Sequence, residues 1–101
     1  MDTTPFFVEL TDWSPVNPDL TLGRVFVERT LLQRIKPEHL HHALQSHAIG
    51  NWGLVPMAIA KLNGEASEHG GPILSLFNVQ DVTRFVVVTK GNPPRTEVTG
   101  W

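Results

Sequence analysis

Proline and glycine divide this chain into short segments, and these segments limit what it can fold into. One amphipathic segment, from about Pro37 to Ala48, opens on a proline that a first helical turn tolerates and stops before Gly50, which predicts a helix. Another, from about Pro56 to Glu68, has apolar residues at helical spacing and stops at Gly70-Gly71. The 101 residues suffice for one core, so we expect a single domain spanning 1–101.

Segments rich in β-branched and aromatic residues predict strands at 22–28, 73–78, 84–90 and 95–99. The continuous run Phe85-Val86-Val87-Val88 favours a central strand buried on both faces, with 95–99 as an outer strand. Thr30 is placed to cap a short helix through Ile35. The predicted order is β-α-α-α-β-β-β, an α+β fold in which an antiparallel sheet of about four strands packs against two or three helices.

The first twenty residues differ from this body, which covers 21–101. Pro5, Pro15 and Pro18 argue against regular structure across most of 1–20. Apolar residues nevertheless alternate from Phe6 to Leu10, as they do in a strand. Two interpretations stay open: an edge strand, or an arm laid over the body or over a second subunit.

Composition excludes several classes of function. The chain has no cysteine, so disulfides, thiolate metal sites and cysteine nucleophiles are ruled out. Its longest mainly apolar stretches, 53–60 and 85–88, are far shorter than a membrane span, and its first residues lack the features of a secretory signal. We therefore expect a cytoplasmic protein without a membrane partner.

Charge argues against a nucleic-acid partner. Eight Lys and Arg side chains are scattered among ten Asp and Glu, for a formal net charge of −2. Affinity for a phosphate backbone comes from clustered cations that release counterions. Nucleic-acid binding is therefore not favoured.

An ordered series of motifs runs through roughly four-fifths of the chain. It consists of Leu22-Gly23-Arg24-Val25, Leu44 and His47 before Gly50-Asn51-Trp52-Gly53, Leu62-Asn63 with Ala66, Gly70-Gly71, Ile73-Leu74-Ser75 and Phe85-Val86-Val87-Val88-Thr89. The series resembles a family of small proteins from plasmids and other mobile genetic elements, usually described only as plasmid-related proteins. Its most specific part is the His-x-x-Gly-x-Trp-Gly turn followed by the double glycine. The resemblance implies a setting and a fold plan but no reaction.

Two departures from that family concern acidic residues. Asn51 stands where the family usually has an aspartate beside the tryptophan, and the segment 90–94 replaces an acidic turn. Chemistry that depended on those acids is therefore not carried over to this chain.

Histidines are the first candidates for chemistry. His39, His41 and His42 lie together on the second predicted helix. His39 and His42 have the spacing of a helical zinc pair, but the sequence places no third ligand beside them. We predict exposed histidines, no metal site and no cofactor.

Four other residues form the predicted ligand site, if the chain has one: His47, Asn51, Trp52 and Asn63. For His47, a half-buried ring that donates to a helix-end carbonyl is favoured over a general base at the mouth of a cleft. Trp52 is expected to fill the space between helices. Asn63 is expected to bond to a backbone group or, as the alternative, to contact a ligand.

Aromatic residues near the two ends suggest an interface. Trp13 lies in the proline-rich arm and Trp101 is the last residue, so neither has a regular element to cover it. Large aromatic side chains left at a surface tend to mark contact sites. Together with Phe6 and Phe7 they predict a surface for self-association or for a protein partner.

The favoured hypothesis is a non-enzymatic accessory protein of a mobile element that acts through protein contacts and forms a homodimer. The alternative is a small ligand-binding domain or small enzyme with a pocket near Trp52.

Overall fold

The computed structural model describes residues 6–80 and 83–101. It confirms an α+β fold, with five strands rather than four. The strands are β1 (Phe7–Leu10), β2 (Arg24–Glu28), β3 (Ile73–Val79), β4 (Thr83–Lys90) and β5 (Arg95–Gly100). The helices are α1 (Arg29–Leu32), α2 (Pro37–Ala48) and α3 (Met57–His69).

The five strands form one mixed sheet in the order β1-β2-β5-β4-β3. β2 and β5 are parallel, and the other neighbouring strands are antiparallel. The prediction of an antiparallel sheet with an outer last strand was therefore wrong: β5 is the central strand. Its inward residues are Thr96 and Val98, both fully buried. Thr96 satisfies its hydroxyl by donating to the Leu22 carbonyl at 2.7 Å, so a polar residue can occupy the centre of the sheet.

The helices cover mainly one face of the sheet. Along β4, Phe85 and Val87 are fully buried, whereas Val86 and Val88 are only half-buried, so the prediction of burial on both faces was wrong. The covered face holds the core, whose residues come from the sheet, from α1 and α2, and from Leu22 and Ile35 in the adjoining segments. The opposite face, which we call the open face, carries the alternate residues of each strand.

Residues 11–23 run over α2 without helix or strand of their own. Trp13 stacks on His41 with ring centroids 5.2 Å apart. The carboxamide of Gln45 accepts from the Val16 N–H at 2.7 Å and donates to the Val16 carbonyl at 2.8 Å. The arm thus lies on the body, and its strand-like start is β1, an edge strand paired with β2. Pro5, the first proline of the predicted arm, lies outside the described residues.

Within residues 6–80 and 83–101, no helix combines the length and the apolar character that crossing a membrane requires.

Gly64 lies in the middle of α3 without the close neighbour that would explain a glycine there. A Cβ built on it meets no atom within 4 Å. Replacing Gly64 with Ala should therefore raise the free energy of unfolding by about 1 kcal/mol, the usual difference in helix propensity. Urea denaturation of the two proteins measures this. A loss of stability instead would mean that the helix needs the glycine.

Candidate functional site

His47 is fully buried between α2 and the sheet. Its Nδ1 lies 2.6 Å from the Ser75 hydroxyl on β3, and its Nε2 lies 2.9 Å from the Thr89 hydroxyl on β4. Thr89 in turn lies 2.6 Å from the Thr96 hydroxyl on β5. One imidazole therefore connects α2 to a row of hydroxyls on three neighbouring strands.

The hydroxyl hydrogens and the charge of the ring together determine the direction of the hydrogen bonds in this row. Thr96 uses its one hydroxyl hydrogen on the Leu22 carbonyl, so the Thr89 hydroxyl must donate to Thr96. The Thr89 oxygen then accepts from Nε2–H of His47. Because burial keeps the ring neutral, Nδ1 carries no proton and accepts from the Ser75 hydroxyl. In this arrangement neither ring nitrogen is available to a substrate.

Burial also determines the charge of this ring. Desolvation lowers the pKa of His47 from 6.5 to about 4. A proton added to Nδ1 would also face the Ser75 hydroxyl, which now donates to that nitrogen. The neutral form is therefore the one that the fold requires.

The pKa of His47 makes stability depend on pH. Because the folded pKa of about 4 lies below the unfolded value of 6.5, the unfolded chain binds more protons between these values, and stability falls as pH drops through this window. A shift of this size corresponds to about 3 kcal/mol, lost between neutral pH and pH 4. Replacing His47 with Gln should remove this pH-dependent part of the unfolding free energy. Urea denaturation of both proteins across the window measures the difference, and parallel losses in both would contradict it.

Asn63 pairs with a strand backbone through its side chain. It is a buried residue of α3, and its Nδ2 donates to the Leu74 carbonyl at 2.8 Å while its Oδ1 accepts from the Leu74 N–H at 3.0 Å. Leu74 belongs to β3, which is an edge strand. The carboxamide thus takes the place that a neighbouring strand would occupy, in agreement with the expected bond from Asn63 to a backbone group.

The turn after α2 forms hydrogen bonds with the outward N–H and C=O groups of Leu76, two residues further along β3. The Leu76 N–H donates to the Trp52 carbonyl at 3.1 Å, and the Leu54 N–H donates to the Leu76 carbonyl at 2.7 Å. Gly53 lies between them with φ +70°, and a Cβ there would collide with the Leu76 carbonyl. The approach of the two backbones therefore requires glycine.

Replacing Asn63 with Asp should cost about 2 kcal/mol or more of unfolding free energy, because a carboxylate would face the Leu74 carbonyl without a donor. The matched control is Ser67→Ala on the same helix, which removes a hydroxyl that donates to the Asn63 carbonyl at 2.9 Å. It should cost about 1 kcal/mol or less. Urea denaturation compares the two; equal losses would contradict a role for the Asn63 side chain in closing the edge.

The structure separates the four predicted ligand-binding residues. His47 and Trp52 line a small cavity of about 110 Å³ that is also bordered by Asp19 and Leu20. Asn51 is exposed, and its side chain accepts weakly from the Gly53 N–H at 3.4 Å. Asn63 lines a different and larger space. These residues therefore do not converge on one pocket, and their binding of a ligand stays a prediction.

The larger space is a groove of about 510 Å³ between α3 and the open face of the sheet. Its apolar walls are Ile59, Leu62 and Ala66 from α3 with Leu74 and Val88 from the sheet. Leu62 is 57% exposed. Outside the groove, Leu54 is 60% and Met57 is 88% exposed. We call the five apolar residues of the groove walls the α3 surface.

The predicted interface residues fall into two places. Phe6 is 85% and Trp101 72% exposed, and both lie at the same end of the sheet, because Glu28 both pairs with Phe7 and accepts from the Gly100 N–H at 3.0 Å. Phe7 is half-buried in β1. Trp13 lies apart, packed on α2. We call Phe6, Phe7 and Trp101 the terminal surface, and it thus holds three of the four predicted residues.

The histidine cluster on α2 is not gathered around one point. His41 stacks on Trp13, whereas His39 and His42 line a different cavity of about 260 Å³ together with Phe77 and Asn78 of β3. Within the part of the chain that the structure describes, no three His, Cys, Asp or Glu side chains are grouped closely enough to hold a metal ion.

The α3 surface is what the sequence did not reveal. Helical spacing of Ile59, Leu62 and Ala66 correctly placed them on one side of a helix, and that pattern normally faces a core. Here the helix lies along an edge of the sheet, so the same side borders a groove instead. No local sequence signal distinguishes the two placements, because the apolar spacing is the same in both.

Searches of protein-family models, curated proteins and solved structures found no match for this chain. The resemblance to plasmid-related proteins therefore stays a prediction.

Proposed function

We propose that this protein is a non-enzymatic accessory protein of a mobile genetic element that acts by binding other protein chains. The observation that carries the proposal is the α3 surface. Its apolar side chains surround a groove of about 510 Å³ and stay accessible to solvent. Contiguous apolar patches of this kind mark contact sites more often than isolated exposed residues do.

The residue types of the α3 surface suit a protein partner. Ile59, Leu62 and Leu74 offer branched apolar groups that an amphipathic helix or a strand could cover. Glu65 and His69 at the rim are exposed and supply a polar border, as protein interfaces usually have.

The site offers little support for catalysis. The one ionisable side chain with a strongly shifted pKa in the described part of the chain is His47, and both of its ring nitrogens are occupied by hydroxyls of the fold. An acid–base catalyst needs a group within hydrogen-bond reach of its substrate. A binding role therefore fits these side chains better than a reaction.

The setting of the proposal rests on the sequence. The ordered motifs from Leu22 to Thr89 are what suggest a mobile element, and the composition is what suggests a cytoplasmic location. A homodimer is part of the same proposal, since the terminal surface with Phe6, Phe7 and Trp101 remains accessible.

A photo-crosslinking amino acid placed at Glu65, an exposed residue that lines the groove, should give a discrete crosslinked product in cells that carry the element. The same group at Glu38, an exposed residue at the start of α2, is the positional control and should not. Adding Leu62→Glu should abolish the product by placing a charge in the groove. Because Leu62 is 57% exposed, that change should alter the unfolding free energy by no more than about 0.5 kcal/mol.

Lys61→Gln is the matched variant for this experiment. It changes the net charge by the same amount as Leu62→Glu at the neighbouring exposed position, and it should leave the product intact. Equal crosslinking from Glu65 and Glu38, or equal loss with both substitutions, would contradict the proposal.

The alternative function is binding of a small apolar ligand in the same groove. Its volume of about 510 Å³ falls within the range of about 300–1,000 Å³ typical of ligand pockets. The cavity beside Trp52, at about 110 Å³, is much smaller. A small molecule that stays bound to the purified protein in native mass spectrometry, and is lost with Leu62→Glu, would favour this alternative over a protein partner.

A further inference from the structure

The two edge strands of the sheet, β3 and β1, differ in whether their outward backbone groups have hydrogen-bond partners. On β3, the outward backbone groups of Leu74 and Leu76 are satisfied by the Asn63 carboxamide and by the 52–54 turn. β1 forms the opposite edge. An exposed strand edge is a template for pairing with another chain, and proteins commonly block it when pairing is unwanted.

The register of β1 on β2 shows which of its backbone groups face outward. Arg29 N–H donates to the Phe6 carbonyl at 2.7 Å, so Phe6 is in a hydrogen-bonded pair, as are Val8 and Leu10 two and four residues on. The N–H and C=O groups of Phe7 and Glu9 therefore point away from the sheet. Across residues 6–80 and 83–101, no hydrogen-bond partner meets these groups.

Apolar side chains of β1 are also left exposed at this edge. Phe6, Val8 and Leu10 share the face of the sheet that carries the core, because Val8 pairs with the buried Val27 and Leu10 with the buried Val25. Phe6 is 85% exposed and Val8 is 40% exposed despite that position. They lack a cover that a further strand on this edge would supply.

We propose that β1 pairs antiparallel with β1 of a second copy about a two-fold axis at Val8, which joins two sheets into one. In this register Phe7 lies opposite Glu9 of the second copy, and each such pair exchanges both of its backbone hydrogen bonds. On the core face, Phe6 meets Leu10 of the second copy and Val8 meets its counterpart. The segment 6–10 is thus complementary to itself, and the two most exposed of its apolar side chains become covered.

Charge is compatible with this register. The Glu9 carboxylate accepts from Arg24 Nε at 2.9 Å and from Nη2 at 2.7 Å, and these bonds hold the pKa of Glu9 below its ordinary value. Because Glu9 lies opposite Phe7 and not opposite its own counterpart, two like charges do not face each other directly. The short strand limits the contact to the small end of specific interfaces, so a reversible dimer is expected.

This inference deepens the proposed function by naming one partner, a second copy of this chain. It uses the β1 edge and not the α3 surface, so it can fail while the crosslinking from Glu65 succeeds, and the reverse.

The test exploits the absence of cysteine. In a non-hydrogen-bonded antiparallel pair the Cα atoms are about 4.5 Å apart, within the range for a disulfide, so Val8→Cys should oxidise rapidly to a covalent dimer. Phe7→Cys, one residue away, would face Glu9 of the second copy and should oxidise slowly. Val16→Cys, at an exposed position on the arm, should behave like Phe7→Cys. Equal rates for all three would overturn the inference, as would faster oxidation of Phe7→Cys.

Sedimentation equilibrium of the chain without added cysteine supplies the second measurement. Glu9→Pro removes an outward N–H and leaves the β1–β2 ladder intact, because a proline is tolerated where the N–H of an edge strand faces solvent. It should raise the dimer dissociation constant at least about tenfold, since each Phe7–Glu9 pair loses a hydrogen bond. Glu9→Ala, which also loses the Arg24 contact but keeps the N–H, should have a smaller effect. A chain that stays monomeric at near-millimolar concentration, or equal effects of both variants, would overturn the inference.

Discussion

The buried imidazole of His47 links α2 to three strands, and the position of the helix on the sheet depends on that link. A neutral histidine accepts one hydrogen bond and donates one, so the hydroxyls of Ser75 and Thr89 must lie on either side of it. Thr96 and the Leu22 carbonyl complete the row and give every polar group in it a partner. Because unsatisfied polar groups are costly in a core, this arrangement tolerates little displacement of α2.

The position of α2 also determines where the next turn and helix lie. The turn through Trp52 and Gly53 reaches the edge of β3, where its backbone satisfies Leu76, and Asn63 of α3 satisfies Leu74. α3 consequently lies along that edge and not over the core, and its apolar side borders an open groove. The closed β3 edge and the open β1 edge lie at opposite ends of the strand order. The two proposed contact surfaces therefore lie on opposite sides of the strand order.

Polar residue type alone did not separate structural from functional roles in this chain. His47 and Asn63 were candidates because histidine and asparagine can bind ligands, yet their side chains bond to hydroxyls and backbone groups of the fold. The same donors and acceptors serve both purposes, and only the positions of their partners decide. Leu62 shows the converse, since its place on an amphipathic helix predicted burial and the structure leaves it exposed.

The sequence by itself determined the local elements. The bounds of α2 were predicted to the residue, and those of α3, β3 and β4 to within one residue, because proline, glycine and apolar spacing act over a few neighbours. It also identified the alternation in 6–10 that became β1. Only the tertiary structure decided that β5 lies parallel to β2 at the centre of the sheet and that one face of the sheet is left open. Strand order and helix placement depend on contacts between residues far apart in the chain, such as Thr96 with Leu22, which no local pattern encodes.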